Sequence, residues 1–411
     1  MKILKLRRSE DRRIRAGHLW VFSNEVDTAH TPLTAFEPGE EAAVTDARGA
    51  FLGSACVNPH SLICARVYSR EKRPLDADLL RERLTDALSL RERLFDSPYF
   101  RLAFGEGDFL PGLVVDRYGS HLACQVTTLA MERRRDLVRG ILDELVHPAS
   151  VLWDDTAGSR VLEGLETGGR VFEGPVPEEL EVLENGCVYL VPGREGQKTG
   201  WFYDQRDNHR LTASLCRGRD VLDAFSYAGG FGVAAARAGA SSVVYLDASA
   251  KALSFAERNH RANSGGGCET VCGDAFDALK ELRDAGRTFD VVSIDPPAFI
   301  KRRRDYKEGL NAYRRLNYLG MQLVRDGGLL VTSSCSQLLS ADDLRGCVSQ
   351  ASARLGALPR LLAAGRQGPD HPVHCAMPET AYLKCLIVQC ARQARPHNRP
   401  GRDDTQQGQQ Q

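Results

Sequence analysis

Four carboxylates and one thiol close apolar runs in the carboxyl-terminal half of the chain: Asp223 ends VLD, Asp247 ends SVVYLD, Asp274 follows ETVCG, Asp295 follows FDVVSI, and Cys335 follows GLLVTSS. An acid ending the second strand of a βαβ unit can accept ribose hydroxyls, and a glycine turn after the first strand lets backbone approach a ligand, so the pattern predicts a nucleoside-containing cofactor. Asp295 opens DPPAF, whose prolines remove backbone donors and hold the chain extended. A carboxylate there, with Phe299 to stack, suits the polar edge of a planar heterocycle, as enzymes acting on a base require; the bland alternative is a strand-ending turn with a core Phe. A cysteine is most often a buried hydrophobe. Cys335, however, sits among Ser333, Ser334 and Ser336 in TSSCS. A thiolate in a polar cleft is a nucleophile, and methylation at carbon 5 of a pyrimidine needs one, because that carbon is inert until something adds at carbon 6.

The elements that must position these groups alternate. Val221 to Asp247 reads as strand, glycine turn (Gly229, Gly230, Gly232), Ala-rich helix and strand. The spacing of GGFG differs from GxGxxG, so a dinucleotide is not specified. Alternation continues through ALSFAERNHRAN, ETVCGDA, DALKELRDAG, FDVVSIDPPAF, a long helix to Val324, and GLLVTSSCS. It predicts a doubly wound parallel sheet with right-handed crossovers, with the five polar groups along one edge. Upstream, residues 1–75 read as a small all-β module and residues 76–185 as an α+β module whose amphipathic helix carries Leu79, Leu80, Leu84, Leu88 and Leu94. The α/β domain spans 186–393, and the polar stretch 394–411 is expected to be a disordered tail.

With 411 residues, 42% hydrophobic content and zero formal net charge, the composition suits a soluble chain of two or three domains and announces no polyanion globally. Basic residues cluster locally at Lys2 to Arg15 and at Lys301 to Arg304; a solvated face is the commoner reading of such runs, phosphate contact the sharper one. The amino terminus lacks an apolar signal core and no stretch reaches transmembrane length, which leads to a cytoplasmic expectation with no membrane partner. Twelve cysteines occur without CxxC spacing, so reduced cysteines and no metal site are expected.

Taken in order, DAFSYAGGFG, Asp247, GDA at Asp274, DPPAF and SSCS resemble motifs of the class I S-adenosylmethionine-dependent methyltransferases. More narrowly, the chain resembles the ribosomal RNA large subunit methyltransferase I family, which modifies cytosine at carbon 5. GHLWVFSNEV resembles a PUA domain, an RNA-binding β-barrel, while GEGDFLPGLVVDRYG, GQKTGWFYDQRDNHR, DHP and PETAYLK match the family elsewhere.

The resemblance implies a class I methyltransferase domain preceded by an α+β domain and an amino-terminal PUA barrel, with S-adenosylmethionine as cofactor and large-subunit ribosomal RNA as partner. It implies that the turn carrying Asp223, Phe225, Ser226, Gly229 and Gly230 passes the methionine part of the cofactor. Asp247, with Ser249 beside it, would hold the ribose, and Asp274 with Ala275 the adenine. Gln205 and Arg206 would help close the pocket, with a helix start followed by solvated polar residues as the plain alternative. Asp295 would lie where methyl donor and base meet, and Lys198 to Trp201 on the substrate side. Arg12, Arg13, Phe299, Lys301, Arg302 and Arg303 would contact RNA, giving an affinity that falls steeply with salt.

Many RNA carbon-5 methyltransferases carry a second cysteine after the proline of the DPPAF motif, where this chain has Ala298. The resemblance then implies that Cys335 is the nucleophile and leaves the proton-abstracting base unnamed. Two other readings stay open: an amino-group methyltransferase, since DPPAF also resembles the (N/D)PP(F/Y) loop, with Cys335 structural; and an RNA-binding assembly factor without activity. The modified nucleotide and the oligomeric state are open too, a homodimer among the options.

Overall fold

A computed structural model describes residues 1–194 and 200–392. Lys198 and the tail expected over 394–411 lie outside the described residues. The amino-terminal module comprises β1 (Lys2–Lys5), α1 (Arg12–Arg15), β2 (Trp20–Phe22), β3 (Glu40–Thr45), β4 (Phe51–Val57) and β5 (Ile63–Ser69), in the sheet order β1-β3-β4-β5-β2. Leu4, Val21, Val44, Val57 and Val67 form its core, joined by Met377 from far along the chain.

The middle module begins with α2 (Ala77–Leu94), whose amino end is capped where the Asp76 side chain accepts the Leu79 N–H. It continues through β6 (Tyr99–Phe104), β7 (Leu113–Tyr118), β8 (His121–Val126), α3 (Leu129–Glu132), α4 (Arg135–Val146), β9 (Ser150–Asp154) and β10 (Arg170–Glu173), in the order β10-β9-β8-β7-β6. Leu79, Leu80, Leu84 and Leu88 of α2 pack on this sheet beside Val138 and Ile141 of α4, whereas Leu94, in the last turn of α2, is exposed and falls outside the predicted stripe.

A hairpin of β11 (Glu179–Glu184) and β12 (Cys187–Pro192) follows. The expected boundary at 185/186 falls in its turn: Asn185 and Gly186 both take positive φ, 51° and 77°, as a two-residue hairpin loop requires. Val182, Tyr189 and Val191 bury themselves against the next domain, so the hairpin belongs to that domain's core.

That domain comprises α5 (Arg206–Ala213), β13 (Asp220–Ala224), α6 (Gly230–Arg237), β14 (Ser242–Asp247), α7 (Ala250–Ser264), β15 (Glu269–Cys272), α8 (Ala275–Asp284), β16 (Phe289–Ile294), α9 (Tyr306–Gln322), β17 (Val324–Ser334), α10 (Ala341–Leu355), β18 (Ala357–Gly365) and β19 (Lys384–Arg392). Its sheet runs β15-β14-β13-β16-β17-β19-β18. Strands β13 to β17 are parallel, as the alternation predicts, whereas β19 pairs antiparallel with both β17 and β18. The strands are apolar in both directions because both faces are covered. Val221, Val243 and Val291 pack with residues of α6 and α7, while Leu222, Val244 and Val292 pack with residues of α8, α9 and α10. The order reverses at β13, so the edge where β13 and β16 end is a topological switch point, the place where such sheets bind ligands. Among the described residues, no helix is long and apolar enough to cross a membrane.

Candidate active site

At that edge lies a cavity of about 640 Å3. Asp223, Asp247, Asp274, Asp295 and Cys335, each from the end of a different strand, all line it. The glycine turn enters it under strain: Phe225 and Tyr227 take left-handed φ of 62° and 48° and Gly229 takes 91°, conformations that cost non-glycine residues free energy and cluster at functional sites. Tyr227 N–H donates to Asp247 Oδ2 at 2.9 Å and Ser249 N–H to Asp247 Oδ1 at 2.9 Å, which fixes that carboxylate at the end of β14. Asp223 is buried and accepts the Gly232 N–H at 2.8 Å. Burial pushes its carboxyl up to about 7, with Asp295 and Asp247 pushing the same way against the Gly232 hydrogen bond and His209.

Ser226, Gly230, Ala275 and Gln205 also line the cavity. Gly229 does not: it caps α6, as Ser249 caps α7, where the Ser249 hydroxyl accepts the Ala252 N–H. Gly230 has a packing role as well, since a Cβ there would meet His209 at 2.6 Å. Arg206 departs from expectation. It is buried against the middle module, donating to Tyr99 O, lying 4.2 Å over the Phe95 ring and 3.7 Å from Glu184. A guanidinium stacked on an aromatic ring with a carboxylate in reach gains more there than at a cavity edge.

Phe299 departs too: its half-buried ring packs 4.9 Å from Tyr313 and 6.2 Å from Phe276 and is absent from the cavity lining. Of the expected RNA-contacting residues, Lys301 is exposed and lines the cavity, Arg12, Arg302 and Arg303 are exposed, and Arg13 is engaged by Glu25 at 2.6 Å and by the Phe22 ring.

Sequence reasoning passed over Phe202, His209, Tyr382 and Leu383, which line the cavity beside Trp201. His209 is set by Glu184, whose Oε1 lies 2.7 Å from Nδ1 while Oε2 accepts from Trp201 Nε1 at 3.0 Å. Tyr382 Oη donates to Asp204 Oδ2 at 2.6 Å. Behind Cys335, Tyr313 Oη sits between the hydroxyls of Ser334 and Ser336, and the Ser336 hydroxyl accepts the Ile300 N–H at 3.2 Å. The DPPAF loop and the SSCS loop are thereby tied together.

Among known proteins, the chain matches the family model of a PUA-like domain over residues 4–70 and that of an S-adenosylmethionine-dependent methyltransferase over 167–369. It is 33% identical over 390 residues to ribosomal RNA large subunit methyltransferase I of Alteromonas mediterranea, covering 93% of this chain and 98% of that one. It is 35% identical to the protein of the same name from Aeromonas hydrophila, covering 90% and 95%. The chain belongs to the ribosomal RNA large subunit methyltransferase I family. The fold agrees: a crystal structure described as a methyltransferase complexed with SAH superposes with a TM-score of 0.82 at 20% identity, over 95% of this chain and all of that one.

S-Adenosylmethionine is the cofactor of this family member, and the cavity suits it. Among the described residues of the lining, Asp204, Asp223, Asp247, Asp274 and Asp295 outnumber Lys301, which complements a cationic ligand. The Ser226 hydroxyl, buried and without a hydrogen-bond partner among the described residues, offers a donor that a bound ligand can take up.

Proposed function

We propose that the protein methylates carbon 5 of a cytosine in large-subunit ribosomal RNA through a covalent adduct of Cys335. The single observation behind this reading is that Cys335 and Asp295 line the same cavity as the acid-ended strands β13 and β14. Asp223, Ser226, Asp247 and Asp274 are the residues that would hold S-adenosylmethionine, which when bound supplies a methyl group already activated by its sulfonium charge.

The remaining chemistry falls to the chain. The Cys335 thiolate adds to carbon 6 of a flipped-out cytosine, and the displaced π pair makes carbon 5 nucleophilic. Asp295 accepts a hydrogen bond from the N4 amino group and so orients the N3/N4 edge of the base. Loss of the carbon-5 proton after methylation returns the electron pair to sulfur and restores the aromatic ring. Holding base and cofactor in attack geometry supplies much of the acceleration. RNA would be met by the PUA-like module and by exposed Lys301, Arg302 and Arg303; an RNA affinity that ignores salt would contradict those contacts.

Replacing Cys335 by Ala tests the nucleophile. A carbon-5 enzyme loses at least 1000-fold in turnover and still binds SAH, whereas an amino-group methyltransferase keeps its rate. Retained turnover in the variant contradicts the proposal.

A further inference from the structure

Lys384 opens β19 and stands opposite Ser334 in the antiparallel ladder with β17, beside the residue that precedes Cys335. Its Nζ donates to Ser336 O at 2.6 Å and to Tyr382 O at 2.8 Å, so two carbonyls pin the ammonium against the SSCS loop. An ammonium carries three N–H donors, and these two bonds leave one. Among the described residues, the cavity lining itself holds one amine, Lys301. Asp295 and Cys335 share the cavity with Asp204 and with Lys301, and the Tyr313 hydroxyl bonds Ser334 and Ser336 of the loop. Burial pushes Lys384 down to about 8, and negative charge at Cys335 pushes it back up, so each group favours the charged form of the other.

We propose that Lys384 is a positioning residue whose remaining N–H holds the Cys335 sulfur as a thiolate facing the cavity. This rests on Cys335 being the nucleophile. The thiol proton leaves to solvent when the ion pair forms. In the addition, the sulfur lone pair becomes the S–C6 bond while the C5–C6 π pair moves toward N3. In the elimination, carbon 5 gives its proton to water, the C5–H pair reforms the C5–C6 double bond, the S–C6 pair returns to sulfur, and Lys384 again faces the anion. One cation therefore assists both the attack and the departure of Cys335, and its two carbonyl bonds keep it protonated rather than acting as a base.

The test is alkylation of the full-length protein by iodoacetamide across pH, without RNA, with the Cys335 peptide quantified by mass spectrometry. SAH binding reports the fold. In Lys384→Met the midpoint for Cys335 alkylation rises by at least one pH unit, a roughly tenfold slower reaction at pH 7, with SAH affinity within about threefold; Lys384→Arg recovers most of the shift. Coincident midpoints in wild type and Lys384→Met overturn the proposal. Should Lys384→Met fail to bind SAH, Lys384→Gln against Lys384→Arg makes the same comparison, and equal midpoints there overturn it equally. The two readings fail separately. Full turnover in Cys335→Ala removes the nucleophile and with it any catalytic use of Lys384, whereas coincident midpoints with an inactive Cys335→Ala remove Lys384 alone.

Discussion

Ser334 donates a 2.8 Å hydrogen bond to Tyr313 Oη, which lies 2.9 Å from the hydroxyl of Ser336, so one phenol on α9 holds the residues on either side of Cys335. All three side chains are buried. Tyr313→Phe leaves two buried hydroxyls short of a partner, at a cost of about 1–3 kcal/mol. The expected result is a lower unfolding temperature and a roughly tenfold loss of kcat, with KM for S-adenosylmethionine within about twofold because the acid-ended strands are untouched. Unchanged turnover would count against this bracket as the support of Cys335.

Asp223 gives the cofactor-free protein a pH dependence of known sign. Its folded carboxyl is raised from 3.8 to about 7. The folded state therefore keeps a proton that the unfolded chain has lost, and stability falls as pH rises across that window, by at most ~4 kcal/mol. Asn keeps an acceptor oxygen for Gly232 N–H but cannot ionise. Thermal unfolding should show Asp223→Asn gaining on the wild type by about 1–3 kcal/mol between pH 5 and pH 8. An equal difference at both pH values would contradict the raised carboxyl.

Arg206 holds the middle module to the methyltransferase domain and does not line the cofactor cavity. Arg206→Ala is expected to cost on the order of 3 kcal/mol, because it removes the buried cation near Glu184. SAH affinity measured well below the unfolding temperature should change less than about threefold. A large loss of affinity with unaltered unfolding would restore Arg206 to the pocket.

Asp223, Asp247, Asp274, Asp295 and Cys335 were legible because strand ends in a parallel sheet open on one edge, and strand ends can be read from where an apolar run stops. Arg206 and Phe299 were not. Whether a charged or aromatic residue near a pocket turns into it or away is decided by partners distant in sequence, here Phe95 and Tyr99 for one and Tyr313 for the other. The Asn185-Gly186 turn was written in the sequence as a hairpin signal, and reading it as a boundary missed the pairing of β11 with β12. Lys384 and Tyr313 reach the SSCS loop only through strand order and helix packing, since β19 enters the sheet antiparallel, outside the alternation that fixed the parallel strands.

The central claim concerns which atom receives the methyl group. The direct measurement is mass spectrometry of nucleosides and fragments from large-subunit ribosomal RNA, taken from cells with and without the gene and from cells carrying Cys335→Ala. The account predicts 5-methylcytidine at one position in the first, and unmodified cytidine there in the other two. A methylated amino group at that site, or 5-methylcytidine that persists in Cys335→Ala, would contradict it.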